Sequence, residues 1–393
     1  MCPAQQKISF FELEEMYRNN NPVLQAKKAE LKAFDGRITE ARRLPNPELN
    51  AGVESLSKGS TETETSVSLA QELDLNNTRR WHVFTLEHLQ KAETHRLSHE
   101  MRAGLTELKK SFCRSLVLEK DVSALNEVLE TVKDIETRSQ TRFADGDVSE
   151  VDVMRLTAEK QKVVLLIDGL KNDARNELIT VAARLGIATA EVQLDAAMPQ
   201  LPVAYDSESL YQLALANRED LKAAREKLRA GETSIVAAKR EVRSPLTLEG
   251  GYKARNGGFN GFIVGVSAPL PFNNRNRGKI QELTAENEAG KLHVVATEKE
   301  LAASLKAAVE EYAFLTSREK LLAQQIEEHK KIAGIARFNF EEGETGLLEI
   351  LDAVRGQSDL ILELNRTIME SWFVVFELEN LTGADLIKTG ENG

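Results

Sequence analysis

Residues 337–352 read RFNFEEGETGLLEILD, and residues 142–155 read RFADGDVSEVDVMR. Both open on Arg-Phe (Arg337-Phe338, Arg142-Phe143) and pass through an acidic segment to a glycine (Gly343, Gly146). Both then enter an apolar helical pattern that carries an acidic residue (Glu349, Asp152). The glycines stand 343 − 146 = 197 positions apart. Repetition at a fixed offset governs how every other segment is assigned, and working outward from the two copies extends the repeat over nearly the whole chain.

Upstream of the first copy, residues 79–142 contain no proline and carry Leu118, Val122, Leu125, Leu129 and Val132 at spacings of four, three, four and three, the seam of a coiled coil. A helix of that length spans roughly 90 Å. A return helix is expected over 149–185, with Ser149 as cap, and it runs antiparallel because the connection is short. The second copy predicts helices over 275–338 and 345–381. Leu301, Leu305, Ala308, Tyr312 and Leu315 carry the first seam, and Val354, Ile361, Ile368 and Val375 recur every seven residues in the second helix.

Before each long helix the period falls to two. Leu49, Ala51 and Val53 alternate with Asn50, Gly52 and Glu54, a turn-prone run follows at 57–60, and TETETSVSLAQEL alternates again, so a β-hairpin is expected at about 48–73. Its second copy, about 246–268, alternates Leu246, Leu248, Gly250 and Tyr252 with polar residues, turns at Asn256-Gly257-Gly258, and returns through Phe262, Val264 and Val266. Two helices precede each hairpin. The second of them runs from Pro22 to about Leu44 in one copy and from Leu221 to Arg243 in the other, and Pro45, Pro47 and Pro245 end them. The organisation is therefore mainly α with a small β part. Repeat 1 covers 1–186, a linker with Pro199 and Pro202 covers 187–206, repeat 2 covers 207–383 and a tail covers 384–393, all expected to form one structural unit.

Composition narrows the function. A net charge of -11 argues against a nucleic-acid backbone as partner. Cys2 and Cys113 provide neither a disulfide framework nor a cysteine metal site. No apolar run approaches the roughly 18 residues of a spanning helix. The start, MCPAQQKISFFELEEMY, shows no basic segment followed by an apolar one. That leaves a cytoplasmic protein or a chain whose export signal is missing from this sequence, with Cys2 either a lipid-bearing residue or an ordinary thiol. His88, His95 and His99 fall on one helix face, where imidazoles four apart can share a metal. Ala92 stands among them and no fourth ligand is evident, so a solvated stripe is the preferred reading. No nucleophile elbow, phosphate loop or metal cluster points to an enzyme, and no cofactor is implied.

Four strands are too few for a membrane barrel, which starts at about eight, and open strand edges cannot sit in lipid. Hairpins that enter a membrane must therefore come from several chains sharing one barrel, which makes the protein an obligate oligomer. The twin repeat, LPNPEL before the first strand, the hairpin-to-helix joins and the glycine–acid turn occur in an order that resembles the TolC family of outer-membrane efflux channels. Within it the chain is similar to the CzcC-like branch of heavy-metal exporters, over residues 8–383.

The resemblance implies a homotrimer whose twelve strands close one barrel in outer-membrane lipid and whose helices form a periplasmic α-barrel. It implies docking to a periplasmic adaptor (membrane fusion) protein and an inner-membrane pump of the RND type. It further implies a constriction at the periplasmic tip lined by Glu349 and Asp352, with Asp152 as the first-repeat counterpart, and tip turns for adaptor docking at Arg142, Phe143, Gly146, Arg337, Phe338 and Gly343. Two departures stand out: Glu349 replaces a customary aspartate, and Thr78-Arg79-Arg80 replaces a common Gly-Lys-Arg, to which Asn276-Arg277-Gly278-Lys279 comes closer. From the residues alone, Asp152 and Glu349 are equally helix-start acids favoured by the helix dipole. The expected function is a passive duct for heavy-metal cations or drugs, against the alternatives of a cytoplasmic coiled-coil scaffold or the outer-membrane duct of a type I protein secretion system.

Overall fold

The computed structural model describes residues 6–55, 63–146, 148–189, 192–242 and 245–387. Cys2, the 57–60 turn, Asp147, Arg243 and the tail beyond 387 lie outside the described residues, as does the side chain of Glu341. In chain order β1 (Gln6–Ile8), a 3-10 turn and α1 (Leu13–Asn20), α2 (Pro22–Leu31) and α3 (Ala33–Arg42) lead to β2 (Glu48–Ser55) and β3 (Thr63–Leu73). Next come α4 (Thr78–Ala144), α5 (Glu150–Leu185), β4 (Val192–Leu194), α6 (Ser207–Asn217) and α7 (Glu219–Glu241). The chain ends with β5 (Leu246–Arg255), β6 (Asn260–Ser267), α8 (Arg277–Glu342) and α9 (Leu347–Thr382). The helix expected over 22–44 divides at Lys32. There the bonds Lys32 N–H to Ala29 O and Asp35 N–H to Lys32 O, both 3.1 Å, close i→i+3 turns instead of α turns.

Two compact units result, and each draws on both sequence repeats. The first comprises Met1–Gln25, His99–Arg218 and Glu300–Gly393. Its core includes Phe10, whose ring lies 5.7 Å from Phe376 and 6.1 Å from Phe112 between centroids. β1 and β4 pair in parallel, Ile8 opposite Leu194, a strand contact that the linker sequence gave no sign of. The repeat is visible as a joint made twice. α5 and α9 each end on a left-handed glycine, Gly186 at φ 67° and Gly383 at φ 69°. A Cβ on Gly186 would lie 2.8 Å from the Asn20 carbonyl, and one on Gly383 would lie 3.1 Å from the Asn217 carbonyl. These partners, like the glycines, are 217 − 20 = 197 positions apart.

The second unit comprises Ala26–Ser98 and Glu219–Lys299. Its hairpins are joined, because β3 pairs with β5 and so makes one antiparallel sheet of order β2-β3-β5-β6. This sheet is open, with β2 and β6 as its edges. The register aligns Leu49, Leu69, Gly250 and Val264 across all four strands, and Val67, Tyr252 and Phe262 across three. One face is thereby apolar and uncovered: Leu49 is 72%, Tyr252 46%, Val264 87% and Phe262 88% exposed. On the opposite face Ser68 Oγ donates to Glu249 Oε1 at 2.5 Å and Lys253 pairs with Glu64. At the β3–α4 join the Asp74 carboxylate accepts from Thr78 N–H and Arg79 N–H, both at 2.9 Å, and caps α4.

Two substitutions separate the joint from ordinary helix surface. Gly186→Ala forces a left-handed alanine against a backbone carbonyl and is expected to cost about 1–3 kcal/mol. Gly36→Ala, inside α3 with open space around it, is expected to gain about 0.5–1 kcal/mol. Denaturant midpoints of the two variants check both signs.

Candidate functional site

The two tip turns lie in the first unit. α4 and α8 stop on left-handed glycines, Gly146 at φ 87° and Gly343 at φ 79°. Each glycine N–H donates three residues back, to Phe143 O at 3.1 Å and Phe340 O at 3.2 Å. The arginines of the two Arg-Phe pairs cross-brace the hairpins. Arg142 Nη1 donates to Phe340 O at 2.9 Å and its guanidinium stacks 5.5 Å from the Phe340 ring centroid. Arg337 Nη2 donates to Asp134 Oδ2 of α4 at 2.9 Å. Phe143 and Phe338 remain 45% and 60% exposed.

The helices that leave the turns begin differently. At α5 the Ser149 hydroxyl donates to Asp152 Oδ2 at 2.7 Å while its oxygen accepts from Asp152 N–H at 3.2 Å. Arg155 adds a bond to Asp152 Oδ1 at 3.4 Å. At α9 the cap position is Gly346, which has no side chain to offer. Leu347, Ile350, Leu351 and Val354 follow at i, i+3, i+4 and i+7 and pack with Val132, Ile135, Leu156 and Phe340. Burying that stripe turns Glu349 and Asp352 outward. Glu349 is exposed, and the Asp352 side chain is 79% exposed with Arg355 Nη1 at 3.9 Å.

Arg355 also reaches across to Glu159 of α5, whose side chain is only 8% exposed. The hydrogen bond from Arg355 holds the Glu159 carboxyl below its ordinary range, outweighing the opposing effect of burial. Glu136 and Lys160, at 2.6 Å, join α4 to α5 nearby. None of these partners was singled out by pattern, because each pair is fixed by helix packing rather than by spacing within one helix.

The histidines meet carboxylates in the second unit. His88 Nδ1 lies 2.7 Å from Glu226 Oε2 and His95 Nδ1 lies 2.6 Å from Glu219 Oε2, both acids on α7. His82 Nε2 lies 2.8 Å from Glu241 Oε1. The pairs diverge, each imidazole on its own acid, and among the described residues no group of three or more His, Cys, Asp or Glu side chains converges as a metal site. His88 and His95 are thus part-buried partners of α7, not a solvated stripe, whereas His99 belongs to the first unit. A signal for this did exist: the two histidines and the two glutamates are each seven apart, as antiparallel helices in register require. Cys113 is 2% exposed, and burial pushes its thiol up to about 12.

A family model described as outer membrane efflux protein matches residues 13–198 and 210–359. The cobalt-zinc-cadmium resistance protein CzcC of Cupriavidus metallidurans is 26% identical over 347 residues, covering 86% of this chain and 80% of that protein. Among solved structures, the outer membrane protein VceC from Vibrio cholerae has a TM-score of 0.80 at 15% identity, covering 95% of this chain and 96% of that one. The outer-membrane channel OprN has a TM-score of 0.79 at 20% identity, covering 95% and 89%. Both structural likenesses concern the fold.

The Glu159–Arg355 pair carries a pH signature. A carboxyl whose folded pKa lies below its unfolded value near 4.5 contributes stability above that value and loses it as pH falls through the folded pKa. Thermal unfolding followed from pH 6 to pH 3 is expected to fall more steeply in the parent than in Glu159→Gln. The variant itself is expected to lose about 1 kcal/mol at pH 7, discounted because the Arg355 guanidinium is half-exposed.

Proposed function

The chain belongs to the outer membrane efflux protein family, and from that premise we propose that three copies form a passive export duct fed by a periplasmic adaptor and an inner-membrane pump of the RND type. The observation that carries this reading is the open sheet with an uncovered apolar face. Free N–H and C=O groups on β2 and β6 cannot rest in hydrocarbon. Pairing β6 of one copy with β2 of the next satisfies them, and three copies give twelve strands, an even number within the range of known barrels. Leu49, Tyr252, Phe262 and Val264 then face lipid, and the Ser68–Glu249 and Lys253–Glu64 face lines the lumen.

The helices extend the duct into the periplasm, and Phe143 and Phe338, exposed beside the braced arginines, are the adaptor's contacts. Glu349 and Asp352 form the constriction: both are turned outward on α9, and a ring of carboxylates selects cations. Asp152, engaged by Ser149 and Arg155, serves chiefly to start α5. The kinship with CzcC, named for cobalt, zinc and cadmium resistance, directs the substrate class to divalent metal cations.

Membrane fractionation followed by detergent extraction tests the assembly: a trimer is expected, and recovery as a soluble monomer overturns the reading. In planar bilayers the double variant Glu349→Ala, Asp352→Ala is expected to show higher single-channel conductance and weaker block by multivalent cations. Unchanged conductance removes these two carboxylates from the constriction.

A further inference from the structure

The register brings four chain segments to one end of the sheet. β2 begins at Glu48 opposite Ala70, β3 ends at Leu73 opposite Leu246, and Thr247 of β5 stands opposite Ser267 at the end of β6. Three of the four joins at this end are basic, while the fourth, residues 241–245, sets Glu241 against Arg243. Residues 42–47 hold Arg42 and Arg43 and no acid, residues 268–279 hold Arg275, Arg277 and Lys279 and no acid, and residues 74–80 set Arg79 and Arg80 against Asp74. Local charges of +2, +3 and +1 thus gather at one end of the sheet in a chain of net charge -11.

Some of these cations are committed within the fold. Arg42 pairs with Glu87 at 2.8 Å and Arg79 with Asp74 at 3.4 Å. Others hold the joins together: Arg79 Nη1 donates to Arg42 O at 3.5 Å and Arg240 Nη1 to Asn76 O at 2.7 Å, while Gln71 Nε2 donates to Pro45 O at 3.0 Å. Arg43, Arg80, Arg275 and Arg277 are exposed on this braced collar. The Arg80 guanidinium carbon lies 5.3 Å from the Phe84 ring centroid and Arg275 Nε donates to Pro271 O at 3.4 Å, so each guanidinium is oriented by one contact within the fold while both residues stay exposed.

Large apolar side chains stand beside them: Leu44 is 49%, Leu75 66%, Leu270 69% and Phe272 75% exposed. Aliphatic and aromatic groups next to arginines, at the rim of an apolar strand face, match the layered chemistry of a bilayer surface. The apolar groups reach acyl chains and the guanidinium forks bind phosphate oxygens bidentately.

We infer that this collar is a binding surface for the headgroups of anionic phospholipid, with Arg43, Arg80, Arg275 and Arg277 as its phosphate-binding residues. The inference rests on the placement of the strands in a membrane given under the proposed function. It adds a preference for one class of lipid, which a barrel held by apolar contact alone does not have.

The full-length chain, delipidated in neutral detergent, is titrated with phosphatidylglycerol or phosphatidylcholine, and bound lipid is counted by native mass spectrometry. Each arginine at an anionic surface contributes about fivefold, so a preference for phosphatidylglycerol of at least about tenfold is expected, declining with added salt. The variant R43Q/R80Q/R275Q/R277Q is expected to lose that preference, while the four corresponding lysine substitutions, which keep the charge and lose the bidentate fork, retain only part of it. Inorganic phosphate at equal concentration is not expected to displace the lipid; displacement means an anion site without lipid specificity and overturns the proposal. Equal binding of the two lipids by the parent, or an unaltered preference in the glutamine variant, overturns it as well. Bilayer conductance of the same preparations keeps the two ideas apart: a conducting trimer without lipid preference sinks only the collar, whereas the absence of a membrane trimer sinks the channel.

Discussion

A strand edge exposes backbone groups that must be hydrogen-bonded wherever water is absent, and the rest of this structure is arranged around that requirement. Neither hairpin meets it alone. Pairing β3 with β5 over the run from Glu64 opposite Arg255 to Leu73 opposite Leu246 satisfies two edges and takes one hairpin from each sequence repeat. The repeats are thereby tied together at the strand level, which explains why the compact units cut across them. Two edges remain, β2 and β6, and these are the edges that the proposed assembly pairs between copies.

The sheet also determines what is legible in a sequence of this kind. Period two and period 3.5 are local properties, so the hairpins and the long helices could be read from residues such as Leu49, Val53, Leu125 and Leu129. Ser149 as cap is equally local, since one side chain determines the geometry, and the left-handed Gly186 and Gly383 stand one and two residues beyond the expected helix ends at 185 and 381. The β1–β4 pairing escaped because three residues are too few to show a period. The break at Lys32 escaped because nothing in its chemistry forbids a continuous helix. Glu226 is 138 residues from His88, and Glu159 is 196 from Arg355; partners that distant are chosen by packing.

At the tip, legibility was greater for position than for role. The twin turns were found from Gly146 and Gly343, and their residues do come together through Arg142 and Arg337. The sequence presents these arginines as parts of the turns, whereas the geometry gives each a task in the opposite hairpin. Arg142 reaches a carbonyl of α8 and Arg337 a carboxylate of α4. Such reciprocal bracing makes the turns stiff while leaving the adjacent phenylalanines outside.

At the tip the two repeats differ in how the return helix is capped. Ser149 gives α5 a side-chain acceptor for its orphan amides, and Asp152 is drawn into that arrangement and held by Arg155 as well. Gly346 gives α9 none, and the first-turn acid Glu349 is left to favour the positive helix end through the dipole. Without a side-chain partner of that kind, the Glu349 carboxylate stays exposed to solvent. The difference in capping, rather than the number of acids in each turn, is the physical reason for proposing the constriction at the second turn: Asp152 is engaged by Ser149 and Arg155 at the start of α5, and Glu349 has no such side-chain cap beside it.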